Sequence, residues 1–233
     1  MGGRGWFRLA PRETADCVFS DRSEAGRRLA AALTRHKVDD PIVLALPRGG
    51  VPVAFEVAEA LDAPLDVVLV RKIGAPGHPE LGLGAVVEGA EPRLVLNEEI
   101  VRLVAPDPAY LAAEEARQLN EIDRRRRLYR GTSEPLAAHG RTVIVIDDGI
   151  ATGGTMKAVL RALDRARPAR RVLAVPVAPG DSIAALACEA DEVVCLAIPD
   201  PFFAVGAHYH DFNQTTDEEV VALLQRSAAR RRL

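Results

Sequence analysis

The chain has 233 residues, 48% of them hydrophobic and 27% charged, with a formal net charge of -3 at pH 7. That length suits one α/β domain with small appendages, and the composition is that of a globular protein with a real core. The faintly acidic total gives no basic field for nucleic acid, and no apolar run reaches membrane-spanning length. The cysteines, Cys17, Cys188 and Cys195, are odd in number and lack metal-finger spacing, so they read as reduced thiols and the expected setting is cytoplasmic.

Residues 1–18 contain Gly, Arg and Pro without an apolar h-region or periodicity, and read as a loose N-terminal extension that Trp6 and Phe7 could dock. Residues 19–233 read as one domain. Ser20 or Asp21 is placed to cap a helix over 23–36, where Ala25, Leu29, Ala32 and Leu33 form an apolar stripe. Residues 42–46 are uniformly apolar, the pattern of a strand buried on both faces. They run into Arg48, Gly49 and Gly50 and then a helix over 53–61. A short glycine turn between strand and helix aims backbone N–H groups at an anion, and Arg48 adds a bidentate donor. A further buried strand over 66–70 ends in Arg71 and Lys72, which face either a ligand or the solvent rim.

Between about 73 and 91 the chain turns rich in Gly and Pro, which reads as a flexible lid loop. It carries no Lys or Arg, and His78 is its one imidazole. A short edge strand is expected over 93–97, a helical turn or two over 98–104, and a long helix over 109–128 capped by Asp107. That helix contains Arg124, Arg125, Arg126 and Arg127. Glu114, Glu115, Glu121 and Asp123 lie within helical pairing distance, so an ion-paired solvent face is the plainer reading than RNA binding, with a dimer contact as another.

The most informative stretch follows. Residues 143–146 are four β-branched residues in a row, then Asp147 and Asp148, then Ala151, Thr152, Gly153, Gly154 and Thr155 leading into a helix. The turn is a second anion cup of backbone N–H groups and hydroxyls. The two carboxylates would repel a phosphate, so they suit sugar hydroxyls or a metal-bound part of the ligand. No G-x-x-x-x-G-K-[ST] and no G-x-G-x-x-G is present, which excludes a P-loop and a dinucleotide fingerprint. Strands over 171–177 and 192–197 flank a helix over 181–188 capped by Asp181 or Ser182. Most of the aromatic residues then gather in a segment of about 198–214, where Phe202, Phe203 and Tyr209 either stack on a planar ligand or form a small core. His208 and His210 alternate there without a third metal ligand. Thr215 and Thr216 before three acidic residues mark the start of a closing helix.

The stretch from Asp147 to Thr155 resembles the phosphoribosyl pyrophosphate (PRPP) signature of type I phosphoribosyltransferases. The resemblance extends over roughly 19–224 and implies an α/β fold: a doubly wound, mainly parallel five-stranded sheet flanked by helices, with a small C-terminal hood at about 198–214. It implies that Ala151, Thr152, Gly153, Gly154 and Thr155 hold the 5′-phosphate. Arg48, Gly49, Gly50, Arg71 and Lys72 would hold pyrophosphate, through a turn whose peptide is sometimes cis. Phe202, Phe203 and Tyr209 would hold the acceptor. It further implies Mg2+ carried with PRPP, possible contacts to it from Asp147 and Asp148, and catalysis by Asp147, Asp148, Arg48, Arg71 and Lys72. The lid without cations departs from the family pattern. The expected activity is transfer of a phosphoribosyl group to a small-molecule acceptor, with a nucleobase foremost. A non-catalytic PRPP or nucleotide sensor on the same fold is the alternative. Neither membrane nor nucleic acid is an expected partner, and a homodimer is the commonest soluble assembly.

Overall fold

A computed structural model describes residues 6–9, 19–89 and 92–231, with the backbone alone for 6–9. Six strands form one parallel sheet in the order β1-β9-β8-β7-β2-β3, namely β1 (Trp6–Leu9), β2 (Ile42–Ala45), β3 (Leu65–Val67), β7 (Thr142–Ile146), β8 (Arg170–Val177) and β9 (Glu192–Ala197). Five of these strands, β9 to β3 in that order, are the sheet expected from the apolar runs. The sixth comes from the N-terminal segment read as a loose extension: Trp6–Leu9 pairs in parallel with β9. Cys17 lies outside the described residues.

Strand β2 is buried at every position and so is β7, as continuous apolar runs require when helices cover both faces. The alternation sorts their side chains into two cores. Val43, Ala45, Ile144 and Ile146 point to one side, where α1 (Arg22–Leu33), α2 (Gly50–Leu61) and α7 (Asp217–Arg230) pack. Leu44, Val143 and Val145 point to the other, against α5 (Gly154–Leu163) and α6 (Gly180–Leu186).

From β2 the chain moves outward to β3 on one side, and later returns to β7 and moves outward on the other. The order reverses between β2 and β7, which makes their carboxyl ends the place where an open α/β sheet leaves a crevice for ligands.

Residues 73–89, the described part of 73–91, are not the irregular loop that their glycines and prolines suggested. Strands β4 (Val70–Ala75), β5 (His78–Val87) and β6 (Arg93–Leu96) form a separate antiparallel sheet. Its glycines serve close packing: a Cβ on Gly74 would lie 2.5 Å from the Pro79 carbonyl oxygen, and one on Gly84 2.3 Å from that of Val95. The β3 strand therefore stops at Val67, and Arg71 and Lys72 belong to β4 of this second sheet rather than to the carboxyl end of a core strand.

Helix α3 (Glu98–Val104) and helix α4 (Pro108–Arg130) follow, α4 capped by the Asp107 carboxylate. Three of the four arginines of the α4 run are tied up along the helix: Arg124 and Arg125 both bond Glu121, and Arg126 pairs with Asp123. The ion-paired reading holds. At the end of α4, Arg130 turns inward and bonds Asp66 Oδ1 (2.7 Å) and Glu88 Oε1 (2.5 Å), all three side chains being less than a tenth exposed.

Among the described residues no helix is long and apolar enough to cross a membrane. Replacing Arg130 by Met leaves two carboxylates buried without their cation, which costs about 3–5 kcal/mol. Urea unfolding of Arg130→Met should show a loss of stability of that size, and a loss under about 1 kcal/mol would remove this cluster from the account.

Candidate functional site

The turn after β2 and the turn after β7 meet over the crevice. Leu46 N–H donates to the Ile146 carbonyl (2.9 Å), so the first turn is pinned to the strand that delivers the acidic pair. The Pro47–Arg48 peptide is cis. A Cβ on Gly49 would fall 2.0 Å from Asp148 Oδ2, and one on Gly50 2.8 Å from the Ile146 carbonyl oxygen and 2.9 Å from Asp147 Cα. No other residue type fits at either place without displacing the acidic pair.

The turn after β7 is held from its far side by Ile150 N–H donating to the Val177 carbonyl (2.9 Å). Ser182, expected to cap α6, instead donates its hydroxyl to the Ala151 carbonyl (2.7 Å) and supports this turn, so α6 starts without a side-chain cap. Gly153 has φ +75, in the left-handed region, and starts α5. A Cβ on Gly154 would meet nothing within 4 Å. Ala151, Thr152 and Gly154 are exposed and Thr155 half-buried, so the ten-residue helix offers its first N–H groups to open space.

Asp147 is half-buried, and burial followed by the Asp148 charge pushes its carboxyl well above the usual aspartate range. One donor offsets this in part, the Asp148 backbone N–H on Asp147 Oδ1 (2.9 Å). Asp148 is held differently. Arg22 Nε donates to Asp148 Oδ2 (2.8 Å), and the Tyr209 hydroxyl donates to the Asp148 backbone carbonyl (2.5 Å). Arg22 is itself fixed, with Nη1 on the Asn213 carbonyl (2.7 Å) and its guanidinium 3.9 Å from the Phe212 ring centre. Arg22, Phe212 and Asn213 escaped the sequence reading. Arg22 follows the Asp21 cap and looks like helix surface, and nothing in its local pattern announces a partner 126 residues away.

The hood contributes walls more than an open stacking face. Tyr209 is 6% exposed and packed between Phe19 and Phe212, so its ring is core and its hydroxyl a strut. Phe202 is half-buried and stacks on the His208 ring, while Phe203 is 83% exposed. Val205 sits where a Cβ on Gly149 would lie, 2.4 Å from its Cγ1, so this glycine lets the hood close on the acidic turn. Among the described residues no cluster of three or more His, Cys, Asp or Glu is grouped to hold a metal.

The cations are placed less centrally than expected. Arg48 extends to Asp217 at the start of α7 (3.8 Å), and that carboxylate also accepts from the Tyr129 hydroxyl (2.5 Å). Burial, then the bond to Asp217, pushes the Tyr129 phenol up to about 12 and keeps it a donor. Arg71 Nε donates to Gln118 Oε1 on α4 (3.0 Å), and Lys72 is exposed on β4. The structure thus brings together Gly49, Gly50, Asp147 and Asp148, with the 151–155 turn continuing from them, while Arg71 is bound to α4 instead.

Comparison with known proteins identifies the family. The phosphoribosyl transferase domain profile matches residues 21–211. Two strains of Mycobacterium tuberculosis have a protein whose name places it among the phosphoribosyl transferases, 49% identical over 210 residues, 90% of this chain. The match takes in 47% of the mycobacterial protein, so the chain spans about half the length of the curated relatives it matches. The crystal structure of TT1426 from Thermus thermophilus superposes with a TM-score of 0.78 at 48% identity, covering 90% of this chain and 98% of that one.

The raised Asp147 pKa has a consequence for stability. The native state holds a proton more tightly than the unfolded chain, whose aspartate titrates near 3.8. Stability is therefore highest below that value and falls as pH rises through the native pKa. Asp147→Asn removes a charge disfavoured by burial and by the Asp148 charge and keeps an oxygen for the Asp148 N–H, so it should raise Tm at pH 7. The gain should shrink as the pH is lowered toward the unfolded-state value. An unchanged or lower Tm at pH 7 would contradict the assignment.

Proposed function

The chain belongs to the phosphoribosyl transferase domain family, and from that premise we propose that it transfers the 5-phosphoribosyl group of PRPP to a nitrogen nucleophile, foremost a nucleobase, with release of pyrophosphate. The observation that carries this reading is the contact of Gly49 and Gly50 with the acidic pair at the sheet's switch point. It sets an anion-binding turn, two carboxylates and a second anion-binding turn side by side. A ligand with a phosphate at each end and a sugar between them matches that order.

In this reading the 5′-phosphate takes the N–H groups and hydroxyls of Ala151, Thr152, Gly153, Gly154 and Thr155 at the start of α5. Asp147 and Asp148 face the ribose. Arg48 and the N–H groups around Gly49 and Gly50 meet the pyrophosphate, Arg48 exchanging Asp217 for the ligand, with Arg71 and Lys72 as further cations. The nucleophile's nitrogen forms a bond to C1 as the C1–oxygen bond breaks, and the electron pair leaves with pyrophosphate. Positive charge that develops on the ribose is stabilised by the carboxylates, and negative charge on the leaving group by Arg48 and the turn N–H groups. Arg22 orients the Asp148 carboxylate through its Nε. Catalysis is positioning and electrostatics, with no covalent nucleophile from the protein.

Mg2+ is the cofactor of this reading. The donor set fits it, since Mg2+ is held by one or two carboxylates together with substrate phosphates, and Asp147 and Asp148 would be those carboxylates. When bound it supplies charge neutralisation to the pyrophosphate. Phe202 and Phe203 remain for the acceptor ring, with Tyr209 supporting the wall behind. The assigned setting is the cytoplasm, where the free thiols Cys188 and Cys195 stay reduced.

The test is pyrophosphate release from Mg-PRPP against a panel of purine and pyrimidine bases. Base-dependent release is expected, reduced about a hundredfold or more in Asp148→Asn, the scale of losing one electrostatic contact to a transition state. Release that ignores the added base, or a variant as active as the wild type, would overturn the reading. Silence across the panel with PRPP still bound would favour a sensor on the same fold.

A further inference from the structure

Arg22 holds three separate stretches of the chain with one guanidinium. Its Nε donates to Asp148 Oδ2 (2.8 Å), its Nη1 donates to the Asn213 carbonyl (2.7 Å), and its guanidinium carbon lies 3.9 Å from the Phe212 ring centre. The two hydrogen-bond partners stand 126 and 191 residues away in sequence. The Arg22 and Asp148 side chains are 12% and 14% exposed, so solvent screens the pair little. Arg22 is also the first residue of α1, where the helix dipole disfavours a cation. The helix gains nothing from an arginine there, and its partners account for it.

The contacts run on in both directions. On the Asp148 side, Arg22 takes the oxygen that lies against the first turn, since a Cβ on Gly49 would fall 2.0 Å from Oδ2 but 3.2 Å from Oδ1. On the hood side, Phe212 packs between the guanidinium and Tyr209, the two rings having centres 5.0 Å apart. Gly206 makes room for it: a Cβ there would lie 2.7 Å from Phe212 Cδ1. Tyr209 then returns to Asp148 through its hydroxyl on the backbone carbonyl (2.5 Å). The hood thus reaches Asp148 twice. The bond from Tyr209 fixes where the residue sits, and the bond from Arg22 fixes how its carboxylate is turned.

Two directional donors and a flat face are what this place demands. A guanidinium presents Nε and Nη1 as a rigid fork and lies flat on an aromatic ring, whereas an ammonium is a point charge without a planar face. We propose that Arg22 is a positioning residue that ties the orientation of the Asp148 carboxylate to the position of the hood. Movement of Phe212 and Asn213 away from Arg22 frees the guanidinium, and with it the Asp148 carboxylate. The value of this for catalysis rests on the transferase reading, in which the hood bears the acceptor and Asp148 faces the ribose, so that one contact aligns both substrates. The linkage itself does not rest on that reading.

Hydrogen exchange in the free protein tests the linkage without substrate. The His210 and Asp211 amides report on the hood, since they donate to the Phe19 and Ser20 carbonyls (2.8 and 2.9 Å). Asp148→Ala should speed their exchange about tenfold, the scale of losing a hydrogen bond to a charged group. In Arg22→Lys they should already exchange faster, and adding Asp148→Ala should then change them less than about twofold. Hood amides indifferent to Asp148→Ala, or additive effects of the two substitutions, would overturn the proposal. The first of these outcomes needs one variant only, so poor folding of Arg22→Lys does not shelter it. In the pyrophosphate-release assay, Arg22→Lys should lower kcat at least about tenfold and change KM for PRPP less than about threefold, because the carboxylate keeps its place and loses its orientation as charge develops on the ribose. An unchanged kcat beside a lowered Tm would make Arg22 a stabilising pair alone and overturn its positioning role. Absence of pyrophosphate release from the wild type would count against the transferase reading, and the exchange cycle would still decide the linkage.

Discussion

Two missing Cβ atoms, at Gly49 and Gly50, let the turn after β2 lie directly on the carboxylates that follow β7. The parallel pairing of β2 with β7 brings the strand ends together, and the hydrogen bond from Leu46 to Ile146 fixes their height. The glycines then remove the last obstacle, with gaps that would be 2.0 and 2.8 Å to any added side chain. The acidic pair inherits its position from that contact, and the phosphate turn is the chain's next few residues. On the other side Gly149 does the same service for the hood through Val205. Sheet, both turns and hood are thus referred to one small region of backbone.

Charge in this region is arranged unequally. Asp148 has a guanidinium on its carboxylate and a tyrosine hydroxyl on its carbonyl, whereas Asp147 has burial, a like-charged neighbour and one backbone donor. A fold selected for stability alone would not keep that second carboxylate. Environments that set two adjacent acids apart are what sites of chemistry tend to contain. Arg130 presents a different case, because one buried guanidinium there serves two buried carboxylates, Asp66 and Glu88.

The parts of this account legible from sequence were those with local signals. Uniform apolar runs marked β2, β7, β8 and β9, caps marked α1, α4 and α7, and the glycine turns after acidic or basic residues marked the two cups. What was not legible is equally physical. The second sheet was masked because Gly74, Gly82 and Gly84 read as loop residues when their neighbours are out of view, although two of them serve backbone packing. The strand over Trp6–Leu9 has no periodicity of its own and is defined by its partner β9. Arg22 and Asp217 act across long stretches of chain, and single charged residues at helix starts carry no mark of their distant partners. Tyr209 was seen as an aromatic, but its burial under Phe19 and Phe212 depends on how the hood folds back.

The most direct measurement is a crystal structure of the chain with Mg-PRPP soaked or co-crystallised. The account requires the 5′-phosphate within hydrogen-bonding distance of the 151–155 turn, the ribose hydroxyls toward Asp147 and Asp148, and the pyrophosphate at Arg48, Gly49 and Gly50. Density for PRPP in the reverse orientation, or anywhere other than this crevice, would contradict it.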